Sequence, residues 1–457
     1  MTLRQSLFFD AILLPGGWAS GVGVSVENGI ITKVEAGATS AGRERVPGFA
    51  LPGLPNLHCH TFQRAMAGLA ERRGPADDTF WSWRDVMYRF VGQLTPDDVQ
   101  AIAAFAYLEM LESGFTAVGE FHYLHHGPDG VPYANLAEMA SRIVEGARET
   151  GIGLTLLPSL YTYGGFGGGA ASEGQRRFLN SPDRFALLLE ATRRVAASLP
   201  STAVGIAPHS LRAVDPDGLR AVVSEVKAGP IHIHVAEQTR EVDDCVTWSG
   251  RRPVEWLLQE MPVDGRWCLI HATHMTAEET RKLAASSAVA GLCPLTEASL
   301  GDGVFNGPAY LEAGGRYGVG SDSNIEIDAA GELRQLEYSQ RLHHRARNVM
   351  TKAAGESTGA RMLSDALMGG AQALGRPIGA IEVGRRADIV VLDAQHASFA
   401  ASGIGHRLDT WIFSAGRSAV DTVLAGGTKV VERGRHIRRA TIAERYCSTL
   451  KRLAGNV

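Results

Sequence analysis

The chain is poor in cysteine and contains no long apolar run. Its five cysteines are odd in number, lie far apart and form no Cys-x-x-Cys pair, a pattern typical of reduced thiols in the cytoplasm. No apolar run is long enough to span a bilayer. The N-terminal segment lacks the basic head and uninterrupted apolar core of a signal peptide, because Asp10 breaks its apolar run. These absences predict a cytoplasmic protein that does not insert into a membrane.

The sequence also lacks a strong charge of either sign. Its 457 residues carry a formal net charge of -4. This balance gives no reason to expect nucleic acid or an anionic membrane surface as a partner. The length is too great for one small core and fits one large barrel with a smaller unit beside it.

The order of strand and helix patterns predicts an α/β fold. Short strand-like runs occur near both chain ends, whereas between them apolar runs alternate with helical patterns, which is typical of a parallel sheet with crossover helices. We predict a (β/α)8 TIM-type barrel in residues 53–376, flanked by a small β domain built from residues 1–52 and 377–457. The predicted barrel strands are Phe49–Leu57, Thr116–Phe121, Gly153–Leu160, Ala203–Ala207, Ile231–Val235, Trp267–Ile270, Ala288–Leu292 and Tyr317–Gly320.

Local signals mark the ends of several elements. Thr95 followed by Pro96 and two aspartates predicts a helix start, and this helix should end at Ser113 before Gly114. The segment 276–279 has the pattern of a capping box, and Gly426-Gly427 predicts a hairpin near the C-terminus.

Histidines and an aspartate follow the predicted barrel strands, where the functional residues of such barrels lie. His58 and His60 end the first strand and share one face, because strand side chains alternate. His234 ends the fifth strand and Asp322 follows the eighth. Three imidazoles and one carboxylate suit a divalent metal such as zinc, with bonds of about 2.0–2.2 Å. Such an ion would lower the pKa of a bound water to about 7.

A hydrolase of this type also needs a base that moves the water proton to the leaving group. Glu237, three residues after His234, is well placed for this role. His271 and Asp322 follow the sixth and eighth strands and can orient the water.

Other residues allow two interpretations from the sequence alone. His232 shares strand parity with His234 but lies deeper, which favours a core position, and Cys59 should point to the opposite face and pack. His343 and His344 fall in a charged helix and are expected in solvent. A second group of histidines after strand two is either a metal cluster or a plain loop, and residues 164–169 are either a lid or a flexible loop; the histidines are His122, His125 and His126.

Over nearly its whole length the sequence resembles the amidohydrolase superfamily, and its deaminase branch in particular. The resemblance is carried by His58-Cys59-His60, His234-Val235-Ala236-Glu237, His271-Ala272-Thr273 and Gly320-Ser321-Asp322-Ser323. Binuclear members commonly use a carboxylated lysine after strand four. This sequence has Ala207-Pro208-His209-Ser210 there, so the resemblance implies a single metal ion, most simply zinc.

Within that branch the sequence resembles the formimidoylglutamate deiminase family. The matching segments are His60–Gly68, Phe80–Arg84, Glu120–Tyr123, His209–Arg212 and His232–Gln238. That family hydrolyses N-formimino-L-glutamate to N-formyl-L-glutamate and ammonia in histidine degradation. The resemblance implies a homodimer and substrate contacts from Gln63, Arg84, Tyr123, His209 and Arg212.

The residue chemistry agrees with a substrate that bears carboxylates. Arg84 lies in an aromatic segment and Arg212 follows strand four, and the guanidinium fork binds carboxylate at two points. One alternative is a related deaminase of a heterocyclic amine, such as guanine or an aminotriazine. Another is a catalytically inactive scaffold, which would be expected to have lost metal ligands, and here every predicted ligand is present.

Overall fold

The structure is a computed structural model and describes residues 4–73 and 78–454. Strands and helices are numbered in chain order. The strands are β1 (Arg4–Leu14), β2 (Gly17–Glu27), β3 (Ile30–Ala36), β4 (Glu44–Pro52), β5 (Leu54–Cys59), β6 (Phe115–His122), β7 (Gly153–Leu160), β8 (Ala203–Val204), β9 (Ala207–Pro208), β10 (Ile231–Val235), β11 (Trp267–His271), β12 (Val289–Leu292), β13 (Arg316–Val319), β14 (Ile389–Leu392), β15 (Val420–Ala425), β16 (Thr428–Glu432) and β17 (Arg435–His436).

Most helices lie between the barrel strands or follow them. They are α1 (Phe80–Val91), α2 (Pro96–Ser113), α3 (Glu138–Thr150), α4 (Pro182–Ala196), α5 (Pro216–Ser224), α6 (Thr239–Ser249), α7 (Pro253–Glu260), α8 (Ala277–Ala285), α9 (Pro294–Leu300), α10 (Gly307–Glu312), α11 (Ala329–His344), α12 (Thr358–Ala373), α13 (Arg407–Thr410) and α14 (Arg439–Ala454). In the part of the chain that the structure describes, none of them combines the length and apolarity needed to cross a bilayer.

Parallel strands β5 to β13 form the barrel. Strands β5, β6, β7 and β8 pair in that order, with β9 also on β7, and β10 to β13 form a second run. Parallel bridges connect the two runs on both sides, between Ile206 and Ile231 and between Cys59 and Asp322. The predicted TIM-type barrel with a small β unit is confirmed.

The first predicted barrel strand, Phe49–Leu57, is wrong as a single element. The apolar run is divided at Gly53 into β4, which pairs with β14 of another sheet, and β5, which begins the barrel. A methyl group on Gly53 would lie 2.2 Å from the Thr116 side chain, so the chain can cross between the sheets only where a side chain is absent. Apolar content alone does not reveal such a crossing, because both halves are buried.

Both chain ends contribute to one eight-stranded sheet, called here the terminal sheet, with the order β17-β16-β15-β14-β4-β1-β2-β3. Its core contains buried apolar side chains such as Phe9, Val24 and Ile389. The last helix, α14, leaves the sheet and packs on barrel helix α2, where the Tyr446 ring stacks on Phe105 with centroids 4.0 Å apart. The domain division at residues 52 and 376 stays a prediction.

The local end signals are confirmed. Helix α2 begins after Thr95, whose hydroxyl accepts the backbone N–H of Asp98, and it ends at Gly114 with a left-handed φ of 107°. Thr276 and Glu279 form the capping box of α8. Strands β15 and β16 pair antiparallel across Gly426-Gly427 as a hairpin.

Candidate active site

A pocket opens at the C-terminal ends of the barrel strands, with about 540 Å³ of empty space including its mouth. All five residues proposed to contact substrate line it, together with the proposed base and its neighbours: Gln63, Arg84, Tyr123, His209, Arg212, Glu237, His271 and Asp322. Helix α1 supplies further walls through Phe80, Trp83, Met87 and Tyr88. The arrangement follows from topology, because parallel strands end on the same side of a barrel.

Four side chains from three separate strand ends meet at the base of this pocket. The Nε2 atoms of His58 and His234 lie 3.2 Å apart, and those of His60 and His234 lie 3.3 Å apart. Oδ1 of Asp322 lies 3.3 Å from His58 Nε2 and 3.4 Å from His60 Nε2. A tetrahedron with bonds of about 2.0–2.1 Å has edges of about 3.3–3.4 Å, which these four of its six edges match. All four ligand atoms lie within 4.8 Å of one another, as the donor set of one zinc-sized ion would.

Hydrogen bonds leave the converging Nε2 atoms of His60 and His234 without protons. Nδ1–H of His60 donates to the carbonyl of Phe121 at 2.9 Å, and Nδ1–H of His234 donates to the carbonyl of His209 at 3.0 Å. A carbonyl can only accept, so Nε2 of each neutral ring carries a lone pair. Burial lowers the pKa of His58 to about 3 and lowers the pKa of His234 well below its ordinary value. The cluster therefore presents nitrogen lone pairs that can bind a cation.

The backbone around these strand ends is strained. Non-glycine residues adopt a left-handed φ at Ala236 (51°), His271 (68°), Ala272 (49°) and Asp322 (41°). Such residues are held only where surrounding contacts determine them, and they cluster at functional sites. One of these contacts is the Asn324 amide, which donates to the carbonyls of both His60 and Asp322 at 3.0 Å.

Glu237 and His271 form a pair beside the four-atom cluster. Oε1 of Glu237 lies 3.6 Å from Nε2 of His271. The other nitrogen of that ring, Nδ1, hydrogen-bonds to Glu297 Oε1 at 3.2 Å. Burial raises the pKa of Glu237, and the Glu237 carboxylate raises the pKa of His271 against the opposing effect of burial. This pair can exchange protons with a water in the pocket.

The opposite wall of the pocket is polar and aromatic. Gln63 donates its amide to the Tyr123 hydroxyl at 2.8 Å. The His209 ring lies against Tyr161, with centroids 4.5 Å apart. Burial lowers the pKa of His209 well below its ordinary value, and the nearby Arg212 lowers it further. These groups can donate to and accept from a polar ligand.

Two arginines face the pocket with unused donors. The Arg84 guanidinium lies 4.5 Å from the centroid of the Trp81 ring, and Nη2 of Arg212 lies 3.6 Å from Glu237 Oε2. The Nε–H groups of Arg84 and Arg212 are buried without a hydrogen-bond partner in the described chain. Buried donors of this kind are costly unless a ligand accepts from them.

The remaining histidines lie outside the four-atom cluster. His232 is fully buried and donates Nε2–H to the carbonyl of Ala373, and His125 and His126 donate to the carbonyls of Ser159 and Leu179. His343 and His344 are exposed on α11. Cys59 points away from the cluster and contacts the Asn324 side chain. In loop 164–169, Phe166 stacks on Trp248 of α6; a lid function stays a prediction.

Sequence reasoning missed three buried groups that hold the site together: Glu241, Glu297 and Asn324. Glu241 lies in the first turn of α6, four residues after Glu237, and acids are common in first turns for purely local reasons. Glu297 and Asn324 occupy a short helix and a turn. Nothing in their spacing indicates which strand end they contact.

The fold and the donor set define a class of metal-dependent hydrolase, and the comparisons with known proteins agree. The model of the amidohydrolase family matches residues 49–430. The chain belongs to the amidohydrolase family.

Individual relatives and solved structures show which members of the family the chain is similar to. The chain is 47% identical, over 98% of its length and 99% of the relative, to a protein of Pseudomonas aeruginosa PAO1 named formimidoylglutamate deiminase. It also matches the crystal structure of an amidohydrolase from Brucella melitensis, with a TM-score of 0.95 and 51% identity over 98% of this chain and 100% of that one. An adenosine deaminase from Xanthomonas campestris with bound zinc shares the fold, with a TM-score of 0.80 and 22% identity over 99% and 98% of the two chains.

Proposed function

We propose that this protein hydrolyses N-formimino-L-glutamate to N-formyl-L-glutamate and ammonia, as a formimidoylglutamate deiminase of histidine degradation. The observation that carries the proposal is that two arginines, Arg84 and Arg212, line the pocket that also contains the Glu237–His271 pair. The name of the Pseudomonas aeruginosa relative supports it.

The arginines select the class of substrate. A carboxylate can accept from Nε–H and an Nη–H of one guanidinium at the same time, which satisfies the buried donors. Glutamate derivatives carry two carboxylates, and the pocket contains two such arginines. A neutral heterocycle would leave at least one of them without an acceptor, which costs binding free energy. The same argument disfavours a ring deaminase.

We propose that His58, His60, His234 and Asp322 bind one divalent metal, most simply zinc. The edge lengths of 3.2–3.4 Å between their donor atoms support this assignment. Such an ion supplies a water activated for attack at neutral pH. The lysines between residues 61 and 370 are Lys227, Lys282 and Lys352, all outside the strand ends, which supports a mononuclear site.

The side chains beside the cluster carry the proton chemistry. Glu237 accepts a proton from the attacking water and delivers it to the imino nitrogen, which becomes an amino group on the tetrahedral carbon. Glu237 then carries the second proton, from the new hydroxyl, to the same nitrogen, so that ammonia leaves as the carbon–nitrogen bond breaks and the formyl C=O forms. His271 and Asp322 orient the water and the tetrahedral carbon. Gln63, Tyr123 and His209 hold the substrate against the pocket wall. Proton transfer of this kind contributes about 10²–10⁴-fold to the rate.

The test is ammonia release from N-formimino-L-glutamate by the purified protein, with a parallel metal assay. We expect release by protein with about one zinc per chain, loss of release after chelation, and recovery after zinc is added back. A metal-loaded protein that releases no ammonia would overturn the substrate. Guanine and an aminotriazine serve as matched ring substrates, and release from these alone would favour the heterocyclic alternative.

We also propose a cytoplasmic homodimer. The five cysteines are free and four of them are buried, which fits a reducing compartment. Light scattering of the purified protein tests the assembly, and a monomer mass would contradict it.

A further inference from the structure

Glu241 lies behind the pocket and holds the turn that presents Glu237. Its fully buried carboxylate accepts the backbone N–H of Ala236 through Oε1 and that of Glu237 through Oε2, each at 3.2 Å. Ala236 has a left-handed φ of 51°, which is unfavourable for a residue with a Cβ atom. Two hydrogen bonds to a charged acceptor stabilise this turn more than neutral ones would.

The same carboxylate attracts Arg212. Nη2 of Arg212 lies 3.9 Å from Glu241 Oε2 and 3.6 Å from Glu237 Oε2, and all three side chains are nearly shielded from water. The guanidinium is therefore shared between two carboxylates. Glu241 is fixed by its two backbone bonds, whereas no such bond holds the Glu237 side chain among the described residues.

We propose that Glu241 is a positioning residue that lets a substrate carboxylate release Glu237 from Arg212. The inference rests on the proposed function. A substrate carboxylate accepts from the guanidinium in place of Glu237, while Glu241 keeps Arg212 at its position. Oε2 of Glu237 is then free to accept the water proton, while Oε1 stays beside Nε2 of His271. A substrate without that carboxylate leaves the base paired to Arg212, so Arg212 selects substrates through kcat as well as through KM.

The first test is Glu241→Gln, which keeps the shape and removes the charge. The amide oxygen can accept only one of the two N–H groups, and Arg212 retains Glu237 as its anionic partner. We expect kcat for N-formimino-L-glutamate to fall at least about tenfold. Because one negative charge beside Arg212 is lost, the Kd of N-formyl-L-glutamate measured by calorimetry should fall or stay within about threefold. Metal content should stay the same as in the wild type.

Glu337 provides a matched control outside the pocket. It is fully buried, accepts the consecutive backbone N–H groups of Val349 and Met350 at 2.9 and 3.0 Å, and pairs with Arg341. Glu337→Gln removes an equivalent set of interactions and should lower the melting temperature about as much as Glu241→Gln. Its kcat and its Kd for N-formyl-L-glutamate should match the wild type.

The outcomes separate the two proposals. If the wild type releases no ammonia, the proposed function fails and this inference falls with it. If the wild type is active and Glu241→Gln keeps its kcat, only the inference is overturned. A kcat loss accompanied by weaker binding of N-formyl-L-glutamate or by lost metal would also overturn it, because that pattern reports a merely disordered site.

A substrate series is the second test. N-formimidoyl amines that lack one carboxylate should show a lower kcat at saturation for at least one of the two deletions, because Glu237 then stays paired with Arg212. In Glu337→Gln the same series should give the wild-type ratios. An unchanged kcat with only a raised KM for both deletions would show that the carboxylates contribute to binding alone, and would overturn the proposed release.

Discussion

The terminal sheet and the strand-end pocket use backbone strain differently. In the terminal sheet, non-glycine residues with a left-handed φ are confined to turns, at Asn28 and Arg433 among the described residues. In the pocket they occur at the residues that carry or adjoin the candidate chemistry, such as Ala236, His271 and Asp322. Each strained residue costs on the order of 1–3 kcal/mol. The sheet therefore contributes stability, whereas the pocket loses part of it because its reactive groups are held in strained conformations.

The largest effect should come from the pocket. Glu237→Gln removes the proposed proton carrier without a change of volume, so ammonia release should fall about 10²–10⁴-fold. Because the neutral amide is easier to bury than a carboxylate, the melting temperature should not fall. Steady-state kinetics with calorimetric melting and a zinc assay check this. Near-normal turnover would show that another group moves the proton.

A core substitution in the terminal sheet should lower the stability of the fold and leave the activity of the folded protein unchanged. Phe9→Ala leaves a cavity among buried apolar side chains and should lower the free energy of unfolding by about 3–5 kcal/mol. The folded fraction should keep the wild-type kcat. Denaturant unfolding and activity per folded molecule are the measurements. A kcat loss in the folded fraction would show that the two regions are coupled.

A smaller effect is expected from the charge-retaining change Arg84→Lys. The lysine ammonium cannot replace the planar fork, so KM for N-formimino-L-glutamate should rise by roughly tenfold to a hundredfold, about 1.5–3 kcal/mol. Initial-rate kinetics give this value, and ring substrates provide a comparison that needs no carboxylate contact. An unchanged KM would remove Arg84 from the substrate site.

The smallest effect should come from an arginine of the terminal sheet. Arg45 pairs with Asp10 on the surface, where water screens the interaction. Arg45→Ala should leave kcat and KM unchanged and alter the melting temperature little. This variant is the control for Arg84→Lys. A KM shift as large as that of Arg84→Lys would mean that general charge, and not the pocket, governs substrate binding.

Local patterns predicted much of the fold and failed where one predicted strand is two in the structure. Phe49–Leu57 is divided between β4 and β5, and Ala203–Ala207 between β8 (Ala203–Val204) and β9 (Ala207–Pro208). The bounds of α2 and the capping box of α8 follow from interactions within a few residues, so they were accessible from the sequence. The division of Phe49–Leu57 between two sheets was not. It depends on the close approach of Thr116 to Gly53, which are distant in the chain.

In the candidate site, too, the sequence indicated local features but not contacts between residues distant in the chain. Strand alternation and strand-end position indicated His58, His60, His234 and Asp322, and in the structure their donor atoms converge within 3.2–3.4 Å. The partners that support them were not accessible from the sequence. Asn324 and Glu297 act through contacts between separate strand ends, and no local period encodes those contacts.

The sequence by itself determined the barrel class and the positions of the candidate metal ligands and of the proposed base Glu237, because each depends on periodicity or on spacing along one strand. Only the tertiary structure decided that Nη2 of Arg212 lies between Glu237 and Glu241, and that the Nε–H groups of Arg84 and Arg212 have no hydrogen-bond partner among the described residues. These distances join residues of α1 and α6 and of the segments that follow β9 and β10. They arise when closure of the barrel packs those elements together, and they cannot be derived from any one of them.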